Sequence, residues 1–271
     1  MKLELARCRH GSFFFPEADS IVGPSLRKYG EYSEGEVKLF RQLIRPGDIV
    51  LDIGANLGAL TVPMGHMVGP SGRVLAFEPQ PTMAKLLAAN CAINNINAKV
   101  SVMALGDEKI QVSIPDFEEY NWPYNYGRVE VGEPGFPKYV MVSQFPLDEV
   151  DVGGSVRFMK VDAEGSEIKI LRGGKKLIET SQPIMFVEND RREHVDELIA
   201  LVREMGYAPY WHVTHLFDTD NFRKDPENIF ANQASFNMLC APQDGPNKLE
   251  VRGLDEITPE ATEKVKQCLG Q

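Results

Sequence analysis

In the segment Val50-Leu51-Asp52-Ile53-Gly54-Ala55-Asn56-Leu57-Gly58, an apolar run stops at an acid and enters a turn of small residues. That pattern predicts a buried strand ending in a nucleotide-binding loop, where glycine lets the backbone approach a ligand closely. A second apolar run, Val74 to Phe77, ends at Glu78. A carboxylate at that place can hold both hydroxyls of a ribose. A dinucleotide site calls for G-x-G-x-x-G, with helix N–H groups aimed at a pyrophosphate. Here only Gly54 and Gly58 are present, and Asp52 precedes them. A carboxylate beside the loop repels a pyrophosphate and suits a cation. S-adenosylmethionine carries both an ammonium and a sulfonium, so it fits better than a nicotinamide or flavin cofactor. The remaining alternative is a Rossmann-like core with no ligand.

Two further apolar runs end in polar groups, Asp162 with Glu164 and Glu188-Asn189-Asp190. Methyl transfer from a sulfonium is an in-line displacement. It needs acceptor, methyl and sulfur in line, and a group to take the acceptor proton. Ligands in open α/β sheets sit beyond the carboxyl ends of the strands, where all four polar run-ends would converge.

The elements that must position these groups alternate along the chain. Residues 34–43 carry Val37, Phe40 and Leu43 at helical spacing, and Pro46-Gly47-Asp48 turns the chain into the first strand. The expected order then runs through a helix over 60–67, a strand over 73–78, a helix over 81–94 and a strand over 99–103. Residues 116–137 are rich in aromatic residues, Gly and Pro, and read as a functional loop or lid. Strands are expected over 139–142, 158–161 and 183–187, with helices over 166–180 and 195–205. Residues 207–213 and 236–241 suit a closing antiparallel pair, and 258–269 an amphipathic helix capped by Thr258 with Pro259 at its first position. This alternation predicts a doubly wound, mostly parallel α/β sheet. Residues 1–36 read as an N-terminal extension packing on the core, 37–250 as the main domain and 251–271 as the C-terminal helix. Phe13-Phe14-Phe15 suits a buried or edge strand.

With 271 residues and 43% hydrophobic content, the chain can bury a full core. No apolar run approaches the length of a membrane span, and the first residues lack the apolar segment of a signal peptide, so no membrane insertion is expected. Cys8, Cys91, Cys240 and Cys268 form no C-x-x-C pair, which argues against a zinc site or disulfide framework and suits free thiols in a reducing cytoplasm. A net charge of −10 disfavours a nucleic-acid acceptor.

Several segments together resemble the FkbM-type S-adenosylmethionine-dependent methyltransferases. They are Leu51 to Gly58, Ala76-Phe77-Glu78-Pro79, Ala104-Leu105-Gly106-Asp107, Lys160-Val161-Asp162-Ala163-Glu164-Gly165-Ser166-Glu167 and Leu171-Arg172-Gly173-Gly174. Tyr29-Gly30-Glu31-Tyr32-Ser33-Glu34 resembles the family's opening segment, and the K-x-D-x-E-G-x-E block is the most specific. The tail from Tyr210 to Cys240 resembles one bacterial branch. The resemblance implies a Rossmann-like class I methyltransferase fold, S-adenosylmethionine as cofactor, and methylation of hydroxyls on sugars or natural products. Departures are small: Leu57 stands before Gly58, Ala163 before Glu164, and Tyr126 in the mid-chain Asn125-Tyr126-Gly127.

On that frame Asp52, Gly54 and Asn56 are expected to hold the methionine half and Glu78 the ribose. Ala104, Leu105 and Gly106 are expected near the adenine, with Glu31 adding a polar contact. Asp162 is expected to face either the cofactor ammonium or the acceptor hydroxyl; its bland counterpart is a strand-end acid capping a helix. Glu164 and Glu188 suit acid–base or substrate-binding work, Glu167 a helix first-turn charge, Asn189 an acceptor contact and Asp190 a turn. His215 is a candidate catalytic group, and His212 either an acceptor contact or a buried structural histidine; His10 reads as structural. Trp122, Tyr124, Asn125 and Tyr126 could form a stacking wall for a sugar ring. Asp162, Glu188 and Asn189 are also placed as the magnesium ligands of catechol-type O-methyltransferases are, although a metal is not the favoured reading. The rivals to O-methyl transfer are N-methyl transfer on the same fold and a non-catalytic cofactor-binding module.

Overall fold

A computed structural model describes residues 1–118 and 123–269. Two strands, β1 (Leu3–Cys8) and β2 (Gly11–Pro16), form an antiparallel hairpin ahead of α1 (Val22–Lys28) and α2 (Glu34–Leu43). Alternation along β2 turns Phe13 and Phe15 inward, where they are buried. There follow β3 (Ile49–Ile53), α3 (Thr61–Val68), β4 (Arg73–Phe77), α4 (Pro81–Ile93) and β5 (Ala98–Ser101). Three strands, β6 (Ala104–Gly106), β7 (Ile110–Pro115) and β8 (Tyr139–Pro146), then build a small separate sheet. The chain continues with β9 (Phe158–Val161), α5 (Glu167–Gly173), α6 (Lys175–Ser181), β10 (Ile184–Glu188) and α7 (Val195–Glu204). It ends with β11 (Tyr207–His215), β12 (Ala234–Pro242) and α8 (Pro259–Leu269).

The central sheet has seven strands in the order β11-β12-β10-β9-β3-β4-β5. From β10 to β5 every pair is parallel, while β12 runs antiparallel to both β10 and β11. Helices cover both faces, which is why the parallel strands read as continuous apolar runs. This is the doubly wound, Rossmann-like class I arrangement with its antiparallel closing pair.

Strand alternation sorts the core into two layers. Leu51 and Ile53 of β3 join Met159 and Val161 of β9 in one layer. Val50 joins Phe158, Phe186 and the Val37–Phe40–Leu43 stripe of α2 in the other. By the same alternation Asp52 and Lys160 lie on the α2 side of the sheet, and register sets them directly beside each other.

Several elements differ from expectation. The strand foreseen over 99–103 stops at Ser101, and Ala104 to Gly106 crosses into the small sheet beside β8. The helix foreseen over 166–180 is two helices with Gly174 between them. Close packing accounts for the approach there: a Cβ on Gly173 would fall 1.9 Å from the Gly106 carbonyl oxygen. β7 went unforeseen, although Val112 and Ile114 alternate inward as a strand requires. Thr258 does cap α8, accepting the Ala261 N–H at 3.2 Å. No helix among the described residues is long and apolar enough to cross a membrane.

Candidate functional site

Strand order reverses between β3 and β9, and ligands of open α/β sheets bind beyond the strand ends at such a switch point. A cavity of about 1030 Å³ opens there. Its floor is the turn after β3. Gly54 and Ala55 donate to the Phe77 carbonyl at 3.0 and 3.1 Å, and Asn56 takes a left-handed conformation with φ of 49°. Gly54 has φ of 75°, and a Cβ added there would lie 1.6 Å from the Asp162 carbonyl oxygen. Only glycine lets the β3 and β9 ends approach this closely.

Glu78 closes β4 and lines the cavity. Its carboxylate accepts the Asn56 N–H at 2.7 Å and the Gln80 N–H at 2.9 Å, so it fixes the turn as well as facing the cavity. Burial pushes its pKa up to about 7, with those N–H groups opposing. Asn56 Oδ1 and Gln80 Oε1, on residues that also border the cavity, are buried without a protein partner. Ala104 and Leu105 line the same end.

At the far end the cavity meets Asp162, Glu164, Glu188 and Asp190, together with Asn125 and His215. One oxygen each from Asp162, Glu164 and Glu188 lies within 4.8 Å of the others. This trio has Glu164 where the sequence suggested Asn189. Burial, aided by neighbouring carboxylates, pushes Glu164 up to about 8 and Glu188 well above the usual carboxylate range. Both acids are thereby biased toward their protonated forms, with the Arg191 charge opposing at Glu164. Arg191 meets Glu164 at 2.6 Å and Glu130 at 3.1 Å.

Seven sequence candidates do not line this cavity. Asp52 is fully buried beneath it, accepting from the Thr61 hydroxyl at 2.6 Å and facing the Lys160 ammonium at 3.5 Å. Its charge ties α3 to the sheet, so the acid that meets the cavity beside the glycine turn is Asp162. Glu31 accepts from Arg9 and from the Phe222 N–H at 2.7 Å, which clasps the N-terminal segment to the β11–β12 connection. The Gly106 carbonyl is taken up in close packing against α5. Tyr124 is stacked on Phe117 and bonded to Glu133, and Tyr126 is fully buried in the same cluster. The foreseen stacking wall is thus interior packing, and Trp122 lies outside the described residues. Asn189 is buried, donating to the Val195 carbonyl and the Met238 sulfur. His212 packs edge-on against Phe186, and burial lowers its pKa.

Glu167 takes its expected helix-start role, accepting the Ala163 and Gly165 N–H groups at 2.8 and 3.2 Å. Lys160, Glu36 and Tyr32 line the cavity and were not singled out from sequence. Lys160 lies 3.0 Å from Asp162 and donates to the Gly54 carbonyl at 3.3 Å. Burial acts to lower its pKa, but Asp162 and Asp52 outweigh that and hold the ammonium charged. The signals were available: Lys160 interrupts an apolar strand, and Glu36 sits one turn before Phe40 on the buried side of α2.

Comparison with known proteins agrees with this geometry. The methyltransferase FkbM domain matches residues 52–209, more than half of the chain. Over 65 residues the chain is 38% identical to the 31-O-demethyl-FK506 methyltransferase FkbM of Streptomyces tacrolimicus, covering 24% of this chain and 25% of that protein. Over 114 residues it is 32% identical to the "Probable ribosomal RNA small subunit methyltransferase A" of Methanothermobacter thermautotrophicus, covering 36% and 38%. The chain thus spans well under half the length of these two curated relatives. The crystal structure of methyltransferase FkbM from Methylobacillus flagellatus aligns with a TM-score of 0.44 at 15% identity, over 75% of this chain and 50% of that one. By the domain that matches most of its length, the chain belongs to the FkbM methyltransferase family.

Proposed function

We propose that the chain is a cytoplasmic S-adenosylmethionine-dependent O-methyltransferase acting on a hydroxyl of a saccharide or small hydroxylated metabolite. One observation carries this reading: a single cavity joins a ribose-type acid, Glu78, to an acid-lined far end across the Gly54 turn. Its volume, about 1030 Å³, is at the upper end of the range for small-molecule sites and suits a cofactor together with an acceptor. In this assignment Glu78 takes the ribose hydroxyls, and the unpartnered Asn56 and Gln80 oxygens gain donors from the bound cofactor. Ala104 and Leu105 pack on the adenine. The Gly54–Asn56 turn and Asp162 receive the methionine half, whose ammonium is met by the carboxylate. The methyl then points toward Glu164, Glu188 and His215, where the acceptor binds beside Asn125. Attack by the acceptor oxygen forms the O–C bond as the S–C bond breaks, and sulfur keeps the electron pair in S-adenosylhomocysteine.

The name of the Streptomyces relative, which specifies a methyl carried on oxygen, supports an oxygen acceptor. The Lys160 and Arg191 charges oppose those of Asp162 and Glu164, and burial biases Glu188 toward its neutral form, so this reading needs no magnesium. Titration calorimetry with S-adenosylhomocysteine tests the cofactor assignment, with binding expected in the micromolar range. Absence of binding, with NAD binding in its place, overturns it. Mass spectrometry of the methylated product tests the acceptor atom, and a methylated amine would overturn the oxygen assignment.

A further inference from the structure

Glu36 is a buried acid on α2 beside Val37 and Phe40, only 4% exposed. It is not stranded there. Its Oε1 accepts from the Asn237 amide at 3.1 Å and from the Ser33 hydroxyl at 3.3 Å, and the Ser235 hydroxyl also bonds the carboxylate. Asn237 is on β12, and Ser33 takes a left-handed conformation with φ of 47° just ahead of the helix. Two separate elements thus aim one buried carboxylate, whose side chain borders the cavity beside Tyr32 and Asp162. These donors hold the carboxylate in one position at the cavity edge, where an acid so buried needs them.

The other carboxylates of that end are engaged. Asp162 is paired with Lys160 at 3.0 Å and Glu164 with Arg191 at 2.6 Å. Burial and neighbouring carboxylates bias Glu188 toward its protonated form, and His215 is exposed at the rim. No described cation pairs directly with Glu36.

We propose that Glu36 is the general base of methyl transfer, taking the proton of the acceptor hydroxyl. This rests on the O-methyltransferase reading of the cavity. As the acceptor oxygen bonds the methyl carbon and the sulfonium leaves with its electron pair, the acceptor proton passes to Glu36. It is later released to water, which restores the carboxylate.

The groups facing Glu36 set when it can act. Tyr32 precedes α2, Lys160 and Asp162 come from β9 and its end, and Ser235 and Asn237 from β12. Burial, followed by the Asp162 charge, pushes its pKa up to about 7, with Lys160 and the hydroxyl donors opposing. A base poised near the operating pH is the efficient one.

The test compares the full-length chain with Glu36→Gln and Glu36→Asp. Methyl-tritiated S-adenosylmethionine is supplied with a panel of monosaccharides and, as the smallest hydroxyl probe, with water alone. S-adenosylhomocysteine formation is followed between about pH 5.5 and 8.5. The wild-type rate is expected to rise with pH through about 7. Glu36→Gln is expected to lose about 100-fold or more in kcat and the pH dependence with it, while Glu36→Asp keeps the limb at reduced rate. S-adenosylhomocysteine affinity should stay within about threefold, because Glu36 acts on the acceptor side. A Glu36→Gln variant with near wild-type kcat, or with the same pH limb, overturns the proposal. So does a wild-type chain that binds the cofactor but transfers methyl to none of the probes. Failure of the wild type to bind S-adenosylhomocysteine falls on the cofactor reading instead.

Discussion

Replacing Gly54 by alanine tests whether the site depends on contact between the ends of β3 and β9. The new Cβ would sit 1.6 Å from the Asp162 carbonyl oxygen and 2.7 Å from its carbon, against an ordinary contact of 3.4 Å or more. Both atoms are backbone, so no side chain can swing aside. The strand ends must part by roughly 2 Å to restore normal contact. That movement strains two bonds at the switch point, from the Asp162 N–H to the Ile53 carbonyl at 3.1 Å and from Lys160 to the Gly54 carbonyl at 3.3 Å. Losing both costs about 1–3 kcal/mol, and holding alanine in a left-handed conformation costs about 1–2 kcal/mol more. A destabilisation of about 2–5 kcal/mol is a large share of the ~5–15 kcal/mol that typically holds a fold together. Gly165→Ala provides the control: its φ is 88°, but a Cβ there meets nothing within 4 Å. That variant should lose only the backbone-strain part. Urea unfolding followed by tryptophan fluorescence and circular dichroism measures both, and calorimetry with S-adenosylhomocysteine measures the site. Gly54→Ala should unfold at clearly lower urea and lose binding, with Gly165→Ala close to wild type. Equal midpoints and equal affinity for the two variants would refute the reasoning.

Glu78→Gln puts an amide where two backbone N–H groups now converge, so at least one donor loses its acceptor. Calorimetry should record S-adenosylhomocysteine binding weakened about 10- to 100-fold, and a change below threefold would count against the ribose assignment. Stability of the cofactor-free chain should fall as pH rises. Burial lifts Asp19 to about 6, Glu36, Glu78 and Glu167 to about 7, and Glu164 to about 8. These folded pKa values lie above the unfolded ones near pH 4, so the contribution is complete below about pH 4 and is lost through pH 6–8. A melting temperature that holds or climbs across that window contradicts this. Exhaustive chelation should leave methyl transfer unchanged, and activity lost to chelation and restored by magnesium would mean that the acidic trio holds a cation.

The layers of the fold were legible because parallel strands buried on both faces leave uninterrupted apolar runs, as at Val50 to Ile53 and Phe158 to Val161. The cavity acids were legible for a related reason: a polar residue that ends such a run stands at the carboxyl edge of the sheet. Placement within the edge was not legible. Asp52 falls on the α2 side, beside Lys160, only because β3 and β9 pair in a register that neither strand specifies alone. Tyr124 and Tyr126 looked like a ligand wall because aromatic residues in an irregular loop carry no periodicity to mark them as core. They pack against Phe117 and Phe136 of the same stretch and against the N-terminal hairpin, which is distant in sequence. Glu31 read as a site residue because its partners, Arg9 and the Phe222 N–H, lie in segments with no recognisable pattern.

Charge is where sequence and geometry diverge most usefully. Asp52 beside a glycine turn seemed to select a cationic cofactor, yet its charge is spent on Thr61 and Lys160. The acid at the cavity is Asp162, which shares that same lysine but is partly open to the cavity. Lys160 therefore has two tasks in opposite directions. It opposes the desolvation that raises the pKa of the buried Asp52, and it pairs with Asp162 at the edge of the cavity. A second cation, Arg191, pairs with Glu164, while burial and neighbouring carboxylates bias Glu188 toward its protonated form. On the Asp162 side of the cavity Glu36 has donors but, among the described residues, no paired cation, which is a condition under which a carboxylate can ionise near neutrality and accept a proton.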